Sequence, residues 1–280
     1  MFLIFDTETT GLPRNWNSPL TDADNWPRCI QIAWQLHDND GSCLFHEDYL
    51  VVPNGFVIPY DAEKIHGIST ALALEEGIPL AEVLENFQQA IAQCEFIGGH
   101  NVGFDLNIMG AEFLRLGDEN PLENFPIIDT CTEETATLCQ LPGGRGGKFK
   151  LPTLSELHHH LFEAPFEEAH NATADVEATT RCFFELFRKG LIRPEALKNR
   201  EDILQHLTEV LDKPVKGIGL KHRNLKDASK QLLASSETLE EPSKTITDAE
   251  EEILQNTPFV HLHTHSQYSV LQSTSRIKDL

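Results

Sequence analysis

The sequence predicts an α/β protein, a mixed β-sheet with helices packed on it, followed by a helical and linker extension. Three observations predict this. Strand-like segments at 2–6, 29–37 and 43–52 come first, and segments of helical period then alternate with short apolar strands. Of the 280 residues, 40% are apolar, enough to build a sizeable core.

The elements follow in order. "CIQIAWQLHD" and "CLFHEDYLVV" carry the β-branched and aromatic residues of paired strands, with Asp38-Asn39-Asp40-Gly41 as the turn between them. The polar, proline-containing stretch at 13–28 reads as a loop inserted after the first strand. "PLAEVLENFQQAIAQ" is an amphipathic helix with Pro79 at its first turn, "EFIGGH" a short strand, "FDLNIMGAEFLRLG" a helix closed by Gly117, and "FPIID" a strand. "TLSELHHHLF" and "ATADVEATTRCFFELFRKG" are helices, the second closed by Lys189-Gly190. Composition changes near 190, which sets the expected organisation: a domain at 1–190, then a helical segment and acidic linker at 191–257, with a terminal segment at 258–280. A domain of 190 residues is expected to fold alone.

Charge narrows the function. With 44 acidic and 22 basic residues the net charge is −22, the wrong sign for a generic nucleic-acid binder. Residues 1–190 hold 30 acidic and 10 basic residues, whereas Lys213 to Lys230 holds six basic residues and one acid. Such a body needs metal ions or a partner's basic surface to meet a phosphate backbone. The glycine-rich "GGRGGKFK" at 143–150 reads as a basic loop, equally a solvated hairpin or a contact to a nucleic-acid strand. The six cysteines form no C-x-x-C pair and read as reduced thiols. No segment is long and apolar enough for a membrane span and no signal peptide is evident, so a cytoplasmic protein is expected.

The chemistry starts in the first strand. Asp6 and Glu8 alternate with Thr7 and so share one face. Two carboxylates held so close repel unless something positive lies between them. Asp105 sits just past a strand at a helix start, and Asp175 lies on the first turn of the later helix, five residues after His170. Singly, each acid is an ordinary helix-start carboxylate. Together, four acids and a histidine would hold two hard cations and a base.

"FDTETTGL", "HNVGFD" and "HNATAD" resemble, in the same order, the three motifs of the DEDD exonuclease superfamily. His170 lies five before Asp175, and Asn171 stands where the other branch has tyrosine, so the histidine branch is indicated. The resemblance implies a ribonuclease H-like fold and 3′-to-5′ hydrolysis of nucleic acid with two divalent cations, Mg²⁺ or Mn²⁺. By it Asp6, Glu8 and Asp175 would ligate one cation, Asp6 with Asp105 the other, and His170 would act as the base. It further implies that Thr9, Thr10, Gly11 and Leu12 line the terminal nucleotide, that His66 of "KIHGIS" touches the terminal base or phosphate, and that Asn101 and Phe104 flank the second motif. Turn formation for Gly11 and core packing for Phe104 explain those residues about as well.

The terminal "TPFVHLHTHSQYSVLQ" has His261, His263 and His265 alternating on one face. It resembles the opening of the polymerase-and-histidinol-phosphatase domain of bacterial DNA polymerase III alpha subunits, which implies that 258–280 is the incomplete beginning of such a domain. That likeness makes His263 and His265 a first metal-binding pair and implies a proofreading exonuclease fused to the rest of an alpha chain, working at a DNA 3′ end within a replisome. An RNA-trimming exonuclease shares the three motifs, and a non-catalytic docking module is the reading from another class.

Overall fold

The computed structural model describes residues 1–166, 171–220 and 223–237. Among these, five strands form one mixed sheet: β1 (Phe2–Thr9), β2 (Cys29–His37), β3 (Cys43–Leu50), β4 (Phe96–Gly99) and β5 (Ile127–Asp129). Their order is β3-β2-β1-β4-β5. β1 runs antiparallel to β2 and parallel to β4, and β2–β3 is a hairpin whose tip is tied by Asp38 Oδ1 accepting from the amides of Asp40 and Ser42. The central strand β1 therefore meets apolar cover on both faces and reads as a continuous apolar run up to Phe5.

The two faces are covered by different helices. Leu3 and Phe5 pack with Val83, Phe87, Ile108 and Met109, which come from α3 (Leu80–Ile91) and α4 (Gly103–Leu116). Phe2 and Ile4 pack with Val176, Phe183 and Phe187, from α7 (Ala172–Arg188). Gly98 makes the second contact possible: a Cβ there would meet the Phe183 ring at 2.6 Å. Three short helices, α1 (Tyr60–His66), α2 (Thr70–Glu76) and α5 (Glu133–Cys139), were not expected from the sequence. At two turns each they show too little periodicity to stand out. α6 (Leu154–Phe162) carries the triple histidine, of which His158 is buried while His159 and His160 are exposed.

The insertion at 13–28 is a built loop. Asn25 accepts from the Asn15 amide and donates to the Asn15 carbonyl, Trp26 Nε1 donates to Pro19, and Arg115 donates to the carbonyls of Ala23 and Trp26. Fully buried Glu112 anchors its end, pairing with Arg28 at 3.0 Å and Arg115 at 3.2 Å and accepting from the Cys29 amide at 2.8 Å. Glu112→Ala leaves two cations and an amide without their acceptor. It is expected to cost about 3 kcal/mol, read as a lower urea midpoint at unchanged slope.

Packing continues past Gly190, where composition placed a boundary. Ile192, Leu197, Ile203, Leu207 and Leu211 join the cluster of Phe2, Phe184 and Phe187; Ile203 and Leu207 come from α8 (Glu201–Val210). Leu225 and Ala228, from α9 (Leu225–Glu237), pack with Ile30, Ile58, Ile68 and Leu72. Buried Ser229 donates to the Gly67 carbonyl and accepts from the Ser69 amide. One compact unit thus runs from Met1 to Ser236. Glycine-rich 143–150 is likewise tied down, Lys148 to Glu133 at 2.9 Å and Lys150 to Glu156 at 2.7 Å. All six cysteines are free thiols, and no described helix is long and apolar enough to cross a membrane.

Candidate active site

Strand alternation places Asp6 and Glu8 on the α7 face of β1 and Thr7 on the α4 face. From the α7 side comes Asp175, on the first turn of that helix. Asn171 caps α7 by accepting from the Thr173 amide, and the Asp175 amide donates to the Asn171 carbonyl at 2.9 Å. The cap is fastened to the sheet: the Ala172 amide donates to Gln31, the Thr173 hydroxyl donates to Asp48, and Gln31 donates to the same Asp48. The outcome is a triad in which one ligand oxygen each from Asp6, Glu8 and Asp175 lies within 4.8 Å of the others.

Asp105 reaches the same strand from the opposite side. Its Oδ1 accepts from the Thr7 amide at 3.0 Å and the Thr7 hydroxyl at 2.6 Å, so the buried carboxylate is held in one orientation against the wall that carries Asp6 and Glu8. Thr7 was not among the expected site residues. Its position between the two acids was the available signal, since a strand residue between two outward ligands must face the other layer.

The electrostatics follow from this crowding. Burial, then the charges of Asp105, Asp175 and Glu8, push the Asp6 carboxyl well above its ordinary range. Burial, then Asp175 and Asp105, push Glu8 up to about 8. Burial pushes Asp105 up to about 7 against the opposing pull of its bonds from Thr7. The mutual repulsion of these carboxylates, added to their burial, disfavours their charged forms. An all-oxygen set crowded in this way fits a hard divalent cation.

The remaining expected residues fall into place unevenly. Thr9 donates through its hydroxyl to the Gly11 carbonyl, and Thr10 exchanges bonds with Arg28, so the loop after β1 is braced. Gly11 has φ +143°, a conformation that L side chains avoid, and beside it Leu12 is 73% exposed. Asn101 has φ +58°, and its amide donates to Asp129 at 2.8 Å. Asp129, at the end of β5, also accepts from the Cys131 amide. Together with His100, bonded to Thr130 and the Pro152 carbonyl, it shapes the turn that launches α4; sequence reading had assigned neither residue. Phe104 is half-buried against Trp16 of the insertion, ring centroids 5.8 Å apart. His66 is 4% exposed and turned into the fold, its Nδ1 accepting from the Ile68 amide. His170 lies outside the described residues, as do His261, His263 and His265.

With the geometry in view, three comparisons bear on it. The family profile described as "Exonuclease" (RNase_T) matches residues 3–183. The chain is 28% identical over 211 residues to the PolC-type DNA polymerase III of Pediococcus pentosaceus, covering 74% of this chain and 13% of that protein. It is 30% identical over 190 residues to a DNA polymerase III subunit epsilon-like protein of Rhodobacter capsulatus, covering 66% of this chain and 23% of that one. The chain thus spans less than a quarter of either relative. Among solved structures, E. coli exonuclease I in complex with a dA16 oligonucleotide superposes with a TM-score of 0.51 at 23% identity, over 70% of this chain and 42% of that one. The same enzyme with dT13 gives 0.52 at 20% identity, over 71% and 42%. The expected ribonuclease H-like architecture is therefore the observed one, and a profile that ends within α7, just past the third motif, takes in all three acid-bearing segments. The chain belongs to the exonuclease family, a family of nucleases.

Proposed function

We propose that this chain is a 3′-to-5′ DNA exonuclease using two divalent cations, Mg²⁺ or Mn²⁺, and that it proofreads for a replicative polymerase. The observation that carries the reading is the convergence of Asp6, Glu8 and Asp175, one ligand oxygen of each lying within 4.8 Å of the others. The polymerase context draws on the names of the two curated relatives and on the "HLHTHS" likeness, and the choice of DNA on those relatives and on the oligonucleotides bound to exonuclease I.

In this reading Asp6, Glu8 and Asp175 hold one cation, and Asp6 with Asp105 holds the other. When bound, the pair supplies Lewis-acid stabilisation of the phosphoryl oxygens and acidifies the attacking water. Thr7 keeps Asp105 from rotating away from that task. His170 takes the proton from water, for which a neutral imidazole is suited near pH 7. The braced backbone from Thr9 to Leu12 receives the terminal nucleotide.

The test is turnover of DNA and RNA oligonucleotides of one sequence, with Mg²⁺ or Mn²⁺, by the wild type and His170→Ala. DNA is expected to be the better substrate, and the substitution to lower kcat by roughly 10²–10⁴-fold while Mn²⁺ binding by calorimetry stays nearly intact. Preferred turnover of RNA would replace the proofreading reading by RNA trimming, and an undiminished kcat would remove His170 from the chemistry.

A further inference from the structure

The insertion at 13–28 carries more hydrogen bonding than a connecting loop requires, yet it ends in one conspicuous exposure. Trp16 is 53% exposed, although burying an indole is among the larger apolar gains open to a chain. The loop had buried alternatives: Leu20 packs on the main core and Trp26 is 3% exposed within it. Trp16 instead rests on the Phe104 ring at an interplanar angle of 53°, and Phe104 directly precedes Asp105. An indole is thus held against the residue that precedes Asp105 by a loop that five side-chain bonds to Asn15, Pro19, Ala23 and Trp26 keep in place.

Charge says what such a ring is for. The chain has a net charge of −22, and Arg28, Lys148, Lys150 and Arg223 are engaged with the protein's own acids, Glu112, Glu133, Glu156 and Glu76. Base stacking needs no favourable field, because each base offers a π-face whatever the potential at the backbone. Building on the DNA exonuclease reading above, we propose that Trp16, supported by Phe104, is a stacking platform for a base of the single-stranded DNA entering the site. It is a positioning residue that acts through the base it holds, by a contact that needs no basic groove.

The fluorescence of the protein isolates the residue. Of three tryptophans, Trp26 and Trp34 are buried at 3% and 0% exposure, so quenching by an oligonucleotide reports Trp16. A dT8 oligonucleotide titrated in with Ca²⁺ in place of Mg²⁺ is expected to quench the wild type saturably. Trp16→Leu keeps an apolar group against Phe104 but cannot stack; it is expected to raise KM for dT8 about 5- to 150-fold, the usual worth of one stacked base, with kcat within twofold. Trp16→Phe should recover most of the affinity, and all three proteins should share one thermal midpoint. Saturable binding without quenching, or equal KM for wild type and Trp16→Leu, would overturn the platform while leaving the exonuclease reading standing. A wild type that degrades no single strand would overturn the exonuclease reading itself.

Discussion

A protein ending at Leu191 is expected to be much less stable than one ending at Glu237, even though the three motifs are complete by Asp175. The reason is the surface that the extension covers. Leu197, Ile203, Leu207 and Leu211 are buried against Phe2, Phe184 and Phe187, and each such side chain contributes roughly 1.5–3 kcal/mol by burial. Removing the segment also spares the entropy of ordering it, so the net effect is smaller than that sum. The aromatic face left behind has no other cover, however, and it lies on the helix that carries Asp175. A net loss of about 4 kcal/mol would lower Tm by about 8–16 °C in a domain of this size. The shorter protein should also lose activity well below the temperature at which the longer one does. Equal melting temperatures for the two would show that the extension is an appendage to a self-sufficient core, as composition alone suggests.

The second large effect is a paired one. If Asp6 is the ligand common to both cations, as proposed above, Asp6→Asn is expected to reduce divalent-cation-dependent nuclease activity by at least about 10³-fold, because such a ligand supports several kcal/mol of charge stabilisation in the transition state. The same substitution should raise the melting temperature in EDTA at pH 8, since Asp6 is one of three carboxylates crowded within 4.8 Å. The pH dependence has a definite sign. Glu8, pushed up to about 8, and Asp105, pushed up to about 7, stay protonated in the folded chain at pH values where the unfolded chain has released those protons. The folded state binds more protons, so stability falls as pH rises from about 4 towards 8. Buried His37 and His100, both lowered to about 4, work the other way, but their contribution is complete above about pH 6.5. Between pH 6.5 and 9 the metal-free protein should therefore lose stability, with a smaller loss in Asp6→Asn, and saturating Mn²⁺ should abolish the trend. A flat or rising profile in EDTA would mean that the acids are not as crowded as the geometry shows.

What the sequence disclosed and what it hid divide along physical lines. Strands β1, β2 and β3 and the long helices α3, α4 and α7 were visible because their apolar residues recur at one period over enough residues to be distinctive. The acids at 6, 8, 105 and 175 were visible because strand alternation and helix starts restrict where side chains point. Thr7 escaped notice because its role depends on α4 arriving on the opposite face, which is a tertiary fact. The seven-residue helices α1, α2 and α5 are too short to show a period. "EDILQHLTEVL" declared itself a helix, but nothing in it says that its apolar stripe meets Phe184. Trp16 looked like one more residue in a polar loop until Phe104 was found beneath it.

The most direct test of the central claim is the degradation of a 5′-labelled single-stranded DNA by the intact chain, compared with the same strand labelled at its 3′ end. With Mg²⁺ or Mn²⁺ the 5′ label is expected to descend a ladder one nucleotide at a time, while the 3′ label is released at once as a mononucleotide, and EDTA should stop both. Release of the 5′ label first, or cutting that persists in EDTA, would contradict a cation-dependent 3′-to-5′ exonuclease built on Asp6, Glu8, Asp105 and Asp175.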